Sequence, residues 1–211
     1  MLLSVLKENF FTDDELDFIT QTIYDFNQNY TNYENDKLFA DYYTFGYYSK
    51  EFGEIKNLFD KKFSEVTDKK IIIDHSHIFH SKRPYTVHTD YFQRRLYKNL
   101  IPAYTIIIPL ENYNSHTLVF NQHSEIKSMD EFILKEHPPE LKNHVTDEDY
   151  KKYLTHCLYD IMKYLSIKEI FPWRKGSIHM CDRRYFHASD NYLANGIKVK
   201  RAIVMWTSLT S

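Results

Sequence analysis

Apolar positions along this chain follow two periods, and the period changes three times. Over the first third they recur every three to four residues. Leu16, Ile19, Ile23 and Phe26 mark one helical face. Ahead of them, Thr12-Asp13-Asp14-Glu15 has the capping-box form, a hydroxyl followed three residues later by a carboxylate. Phe52, Ile55, Phe59, Phe63 and Val66 mark a second face, with Ser49 placed to cap it. The N-terminal third therefore reads as helical. From Lys70 to Val87 the chain becomes rich in β-branched and aromatic residues, which predicts one or two strands, bent or at an edge near Pro84. Residues 103–110 (AYTIIIPL) and 116–121 (HTLVFN) predict two buried strands, with Asn112–Ser115 as the turn between them.

Helical spacing returns from residue 122 to about 170. Ser128 and Glu131 predict a capped short helix that stops before Pro138-Pro139. Thr146 opens a longer one, with Tyr150, Tyr153, Leu154, Cys157, Ile161, Tyr164 and Leu165 on its apolar face. Strand texture resumes at Gly176 and runs through GSIHMCD, RRYFHAS and IKVKRAIVMWTS. Asn195-Gly196 is a turn signal before the last strand. The order of helices, strands, helical insertion and strands points to a mainly β core with a helical layer.

Composition narrows the function classes. The chain has 211 residues and a formal net charge of −2. That length fits one domain and suffices for a full core. No apolar run reaches the roughly 20 residues of a membrane span. The first residues lack the small-residue cleavage site of a secretory signal, so the expected location is the cytoplasm. Near-neutral charge argues against nucleic acid as a partner. Cys157 and Cys181 form neither a CxxC pair nor a disulfide framework and are expected as two buried thiols. The composition figures to explain are 11 His against only 4 Gly.

Two histidine patterns bear on metal binding. Asp74-His75-Ser76-His77-Ile78-Phe79-His80 contains H-x-H-x-x-H, which resembles half of a di-zinc hydrolase site. That site needs an Asp before the third His, where Phe79 stands. The sharper pattern is His88-Thr89-Asp90. In a strand, residues two apart face the same way, so this imidazole and carboxylate can bind one ion together. A second His from another strand would complete a two-His-one-carboxylate triad, which suits non-haem Fe(II) oxygenases. The other histidines (116, 123, 137, 144, 156 and 179) have no ligand spacing to one another and read as surface or core residues.

Around this motif the chain resembles the Fe(II)/2-oxoglutarate-dependent oxygenases, most closely the prolyl-4-hydroxylase-like branch. The resemblance rests on Tyr85-x-x-His88-x-Asp90, on the block WRKGSIHMCDRRYFHASDN with its His187, on the strand opening with Lys200-Arg201, and on the opening VLKENFFTDDELDFI. It spans most of the chain outside the 122–170 insertion.

The resemblance implies a double-stranded β-helix (a jelly roll, cupin-like) backed by N-terminal helices. The expected division is one oxygenase domain over 1–211: helical support at 1–68, β core at 69–121 and 171–211, and a helical insertion at 122–170 acting as a lid. Asn195-Gly196 is then a bend between sheets, and a simple hairpin there would count against the fold. His88, Asp90 and His187 become the ligands of Fe(II), with 2-oxoglutarate and O2 as cosubstrates. The 2-oxoglutarate carboxylate needs a buried cation. Lys200 fits the pattern, with Ala202 two residues on and Trp206 six residues on; Arg201 has the better fork for a carboxylate. Tyr85 and Thr105 are candidates to line the same pocket, and Arg183 or Arg184 to meet an anionic substrate. Asp190 and Asn191 read as turn formers. Asp90 stands where halogenases of this family have a small residue, so hydroxylation of an unactivated C–H bond, with release of succinate and CO2, is the expected reaction. The substrate is a small molecule or a peptidyl side chain, and the sequence leaves oligomeric state open. The rival readings are a non-catalytic jelly-roll binding module, which has no need of such a triad, and the zinc hydrolase of His75, His77 and His80.

Overall fold

The computed structural model describes residues 4–30, 33–36, 40–92, 96 and 99–210. Residues 1–3, on which the non-secretory reading partly rests, lie outside these. The helical signals hold where their caps form. α1 (Asp13–Tyr30) starts on a closed capping box: Thr12 N–H donates to Glu15 Oε2 at 2.8 Å and Glu15 N–H to Thr12 Oγ1 at 3.2 Å. α2 (Gly53–Phe63) follows a short 3-10 turn at Lys50–Phe52, and Ser49 makes no side-chain cap. Between the two helices the sequence reading fails. Tyr33–Asp36 (β2) and Ala40–Thr44 (β3) are strands. Their residues show no helical stripe, and it is pairing with a neighbouring strand that holds them extended.

Among the described residues, ten strands form two antiparallel sheets. The larger sheet has the order β1-β8-β5-β10-β4-β3-β2, and the smaller β7-β6-β9. The remaining strands are β1 (Val5–Lys7), β4 (Ile71–Ser81), β5 (Ile101–Pro109), β6 (His116–His123), β7 (Ile167–Pro172), β8 (Ile178–Asp182), β9 (Tyr185–Ser189) and β10 (Lys200–Leu209). β9 belongs to the small sheet and β10 to the large one, so Asn195-Gly196 is a bend between sheets. Gly196 takes φ +79 there.

One face of the large sheet is buried under α1 and α2. Leu16, Ile19, Ile23, Ile55 and Phe59 share a core with Ile78, Ile106, Ile108, Ile203 and Met205. Strand alternation turns the other face of β4 and β10 away from this core. The N-terminal segment is fastened by Gly176, whose carbonyl accepts from Phe10 N–H and Phe11 N–H.

The 122–170 segment differs from the expected helical lid. α3 (Met129–Glu136) is capped by Ser128 as predicted. The longer helix breaks into one α turn at Asp147–Asp149, a π turn at Tyr150–Leu154 and a 3-10 turn at Tyr159–Tyr164. The segment ends in β7, an unpredicted strand. Its apolar side chains, among them Val145, Leu154, Ile161 and Leu165, pack on Leu118, Phe120 and Phe186 of the small sheet. They back that sheet and supply none of the residues that line the main cavity.

Candidate active site

A cavity of about 880 Å³ is lined by both sheets. His88, Asp90 and His187 come together in its wall, with one ligand-type atom of each lying within 4.8 Å of the others. The backbone places them. His88 and His187 form an antiparallel bridge, with N–H···O distances of 3.0 and 2.9 Å in the two directions. Two residues on, Asp90 N–H donates to the Arg183 carbonyl at 3.0 Å. Both sides of the set thus hang on one short ladder between the 86–90 segment and residues 183–187, the β8–β9 turn and the start of β9.

The side chains are oriented as ligands. His88 Nδ1–H donates to the Thr86 carbonyl at 2.7 Å, and His187 Nδ1–H to the Tyr185 carbonyl at 3.1 Å. Each carbonyl takes the Nδ1 proton and turns Nε2 towards Asp90. His88 Nε2 lies 3.8 Å from Asp90 Oδ1, and His187 Nε2 lies 3.3 Å from Asp90 Oδ2. Two ligands about 2.1 Å from one ion at a right angle are roughly 3 Å apart, so the set fits a first-row metal. Thr105 Oγ1–H donates to Asp90 Oδ2 at 2.7 Å and orients the carboxylate. Burial works to raise Asp90, but the His187 and His88 imidazoles hold its carboxyl well below the usual range. Burial, and then the His187 ring, pushes His88 down to about 4. An ionised carboxylate beside a neutral imidazole is the state a cation needs.

Lys200 lines the same cavity at 1% exposure. Its Nζ donates to Ser115 Oγ at 2.8 Å and lies 3.6 Å from the Trp173 ring centroid and 4.9 Å from that of Tyr192. Ser115 Oγ–H in turn donates to Asp190 Oδ1, which is buried. Among the described residues Lys200 makes no ion pair. Arg201 points away, is half exposed and pairs with Glu111. The alternation of a strand turns the first into the cavity and the second out of it.

The other predicted residues separate. Tyr85 lines the cavity and shares a 2.8 Å hydrogen bond with Tyr42 through the two hydroxyls. Thr105 lines it too, but its hydroxyl serves Asp90. Neither arginine faces it. Arg183 is fully buried: its guanidinium pairs with Asp74 at 2.8 Å and donates from Nε to the Asp90 carbonyl at 3.0 Å. Arg184 pairs with Asp182 at 2.6 Å. An anion-binding role for either is replaced by these structural pairings. The H-x-H-x-x-H set is split, because His75 and His77 line the cavity while His80 faces α1, 2.8 Å from the Tyr24 hydroxyl. The zinc-hydrolase reading fails on that alternation. Both cysteines are free and buried, as expected. Ser115, Trp173 and Tyr192 escaped the sequence reading because only the fold brings them to Lys200. Asp190 carried a signal only as a turn former.

No family model and no curated protein matches the chain. Solved structures do. The chain is similar to the non-haem α-ketoglutarate-dependent carbocyclase SnoK from nogalamycin biosynthesis, with a TM-score of 0.59 at 13% identity over 98% of this chain and 79% of that one. It is similar to HygX from Streptomyces hygroscopicus, whose crystal contains nickel and 2-oxoglutarate, with a TM-score of 0.57 at 11% identity over 98% and 83%. A prolyl-4-hydroxylase from Pseudomonas putida gives a TM-score of 0.52 at 8% identity over 99% and 93%. The chain has the fold of the 2-oxoglutarate-dependent non-haem iron oxygenases.

Proposed function

We propose that the chain is an Fe(II)- and 2-oxoglutarate-dependent dioxygenase that hydroxylates an unactivated C–H bond of a small molecule or peptidyl side chain, releasing succinate and CO2. One observation carries this reading: a two-His-one-carboxylate cluster and a buried, ion-pair-free lysine share one cavity. A carboxylate-bearing ligand that chelates a metal at one end is matched by that pair of features.

In this reading the two sheets are the halves of a double-stranded β-helix, and 1–211 is one oxygenase domain. His88, Asp90 and His187 hold the iron, which when bound supplies the oxidation of 2-oxoglutarate and of the C–H bond by O2. Lys200 receives the far carboxylate of 2-oxoglutarate, and Ser115 and Tyr192 stand beside it. Thr105 holds Asp90 in its ligand orientation. The cavity walls hold the reactants in register and exclude water, which is what the protein contributes to chemistry carried by a cofactor. The free thiols fit a reducing cytoplasm, and no helix among the described residues is long and apolar enough to cross a membrane.

The test is succinate formation from 2-oxoglutarate with Fe(II) and O2 by the wild type and by His187→Ala. We expect turnover in the wild type, stimulated by substrate, and its loss in the variant. Equal rates in the two proteins, or none in iron-loaded wild type, would sink the reading.

A further inference from the structure

The Lys200 corner of the cavity continues behind the wall as a chain of hydrogen bonds. Lys200 Nζ donates to Ser115 Oγ at 2.8 Å. An ammonium only donates, so the single Ser115 O–H is left for Asp190 Oδ1, at 2.5 Å. The other oxygen, Asp190 Oδ2, accepts the His116 N–H at 2.7 Å and lies 3.1 Å from His116 Nδ1. Lys200, Ser115 and Asp190 are each 1% exposed. The His116 imidazole is 27% exposed and meets the Tyr153 ring edge-on. The chain therefore runs from the cavity to the surface. It also joins the two sheets, because Lys200 opens β10 in the large one and His116 opens β6 in the small one.

Backbone bonds hold both ends in place. Asp190 N–H donates to the His116 carbonyl at 3.0 Å, so these two residues bond in both directions. Trp173 and Tyr192 close over Lys200 Nζ, and the Tyr192 hydroxyl is tied to Ser81 Oγ at 3.0 Å.

Burial works against the ammonium of Lys200, and Asp190 is the group that opposes it. The other described ionisable side chains around this lysine supply no counter-charge. Burial pushes the Tyr192 phenol up. Burial, and then Lys200, pushes His179 down to about 3. Burial likewise pushes His156 down. Asp190 thus balances Lys200 from one hydroxyl away. A carboxylate paired directly with Lys200 would compete with a ligand for its N–H groups. Set behind Ser115, the same charge favours the ammonium and leaves its other N–H groups to the cavity.

We infer that Asp190 is a positioning residue of the carboxylate site: through Ser115 it holds Lys200 as an ammonium aimed into the cavity, and so sets how tightly the far carboxylate of a ligand is bound. The inference rests on the proposed function for calling that ligand 2-oxoglutarate, and on the hydrogen-bond chain itself for the role of Asp190.

The test has two readouts. The first is the pH titration of Lys200 itself, followed by NMR of the lysine Cε–Hε signals in isotope-labelled full chain and assigned with Lys200→Met. Asp190→Asn keeps the shape and removes the charge, and is expected to lower the midpoint by about one pH unit or more. Asp190→Glu restores the charge and is expected to recover roughly half of that shift or more. Ser115→Ala cuts the link and is expected to lower the midpoint as well; it carries both readouts if Asp190→Asn does not fold. The second readout is calorimetric titration of Ni(II)-loaded protein with 2-oxoglutarate at pH 6 and pH 8. Asp190→Asn is expected to bind roughly tenfold more weakly at pH 8 and within about twofold of wild type at pH 6, because what it loses is the charged form of Lys200. A Lys200 midpoint that stays put in these variants, or a weakening that is equal at both pH values as structural damage would give, would overturn the inference. A midpoint that moves as expected in a protein that binds no 2-oxoglutarate at either pH would overturn the oxygenase reading and leave the hold of Asp190 on Lys200 standing.

Discussion

Arg183 grips Asp90 from both directions along the backbone: its carbonyl accepts the Asp90 N–H and its Nε donates to the Asp90 carbonyl, each at 3.0 Å. The same guanidinium donates from Nη1 to Asp74 Oδ2 at 2.8 Å and to the Thr207 carbonyl at 3.0 Å. Asp74 sits where the β4–β10 register shifts, and it also accepts from Ser208 Oγ. A buried ion pair therefore ties the His88–Asp90 segment to the large sheet. Removing one partner of such a pair costs about 3–5 kcal/mol, so Arg183→Met is expected to unfold or nearly so. Arg183→Lys keeps the charge for Asp74 but lacks the planar fork that reaches three acceptors. That variant is expected to retain its circular dichroism and to bind Co(II) roughly tenfold more weakly. Unchanged Co(II) affinity would show that the grip does not position the ligand.

Thr105 separates two roles by experiment. Thr105→Val keeps shape and removes the hydroxyl that orients Asp90. Weakening of metal binding by roughly 10-fold or more is expected, as for other groups that support metal ligands, with little change in the 2-oxoglutarate requirement at saturating metal. The opposite split, in metal titrations and in KM for 2-oxoglutarate, would return Thr105 to the cosubstrate role that its place in the strand first implied.

Lys200 combines function with a stability penalty. Burial, opposed by Asp190, pushes it down to about 7. Its folded pKa lies below the unfolded value of about 10.4, so between those limits the unfolded chain binds more protons, and this residue makes stability rise with pH across that window. Lys200→Met removes the buried charge and is expected to melt no lower than wild type at pH 7, while raising the 2-oxoglutarate KM by roughly 10- to 100-fold. Arg201→Met is expected to stay within about twofold, since Arg201 faces away and its exposed pair with Glu111 is of the kind that contributes little. Above pH 7, binding of 2-oxoglutarate should be accompanied by proton uptake at Lys200. Calorimetry at pH 8.5 in buffers of different ionisation enthalpy reads that uptake, and its absence would remove Lys200 from the carboxylate site.

Gly176 tests the attachment of the N-terminal segment. It takes φ +72, and a Cβ there would stand 2.4 Å from the Phe11 carbonyl oxygen. Gly176→Ala must both adopt a left-handed conformation and push backbone apart. A loss of roughly 2–4 kcal/mol in chemical denaturation is expected, against roughly 1–2 kcal/mol for Gly196→Ala, which meets the same left-handed strain at φ +79 but has no atom within 4 Å, and less for Gly196→Asn.

Short-range signals in this chain were dependable where their physics is local. The Thr12–Glu15 box and the Ser128 cap formed because cap and N–H are three residues apart. Residues 33–36 and 40–44 were misread because an isolated strand has no internal hydrogen bonds, so only its neighbours reveal it. The 146–165 stripe was misread because its apolar spacing serves α, π and 3-10 turns alike once a sheet lies beneath it.

By itself the sequence determined which residues could ligate a metal: the two-apart geometry of His88 and Asp90 is a property of any strand, and His187 completed it through a family resemblance. Tertiary structure alone decided the rest. It turned Lys200 inward and Arg201 outward, recruited Arg183 and Thr105 to Asp90 rather than to a ligand, and set His77 among the rings of Tyr42, Phe79 and Trp206. Those outcomes depend on which strands lie side by side and which face each turns to the cavity, and pairing between segments far apart in the chain leaves no local trace in their composition.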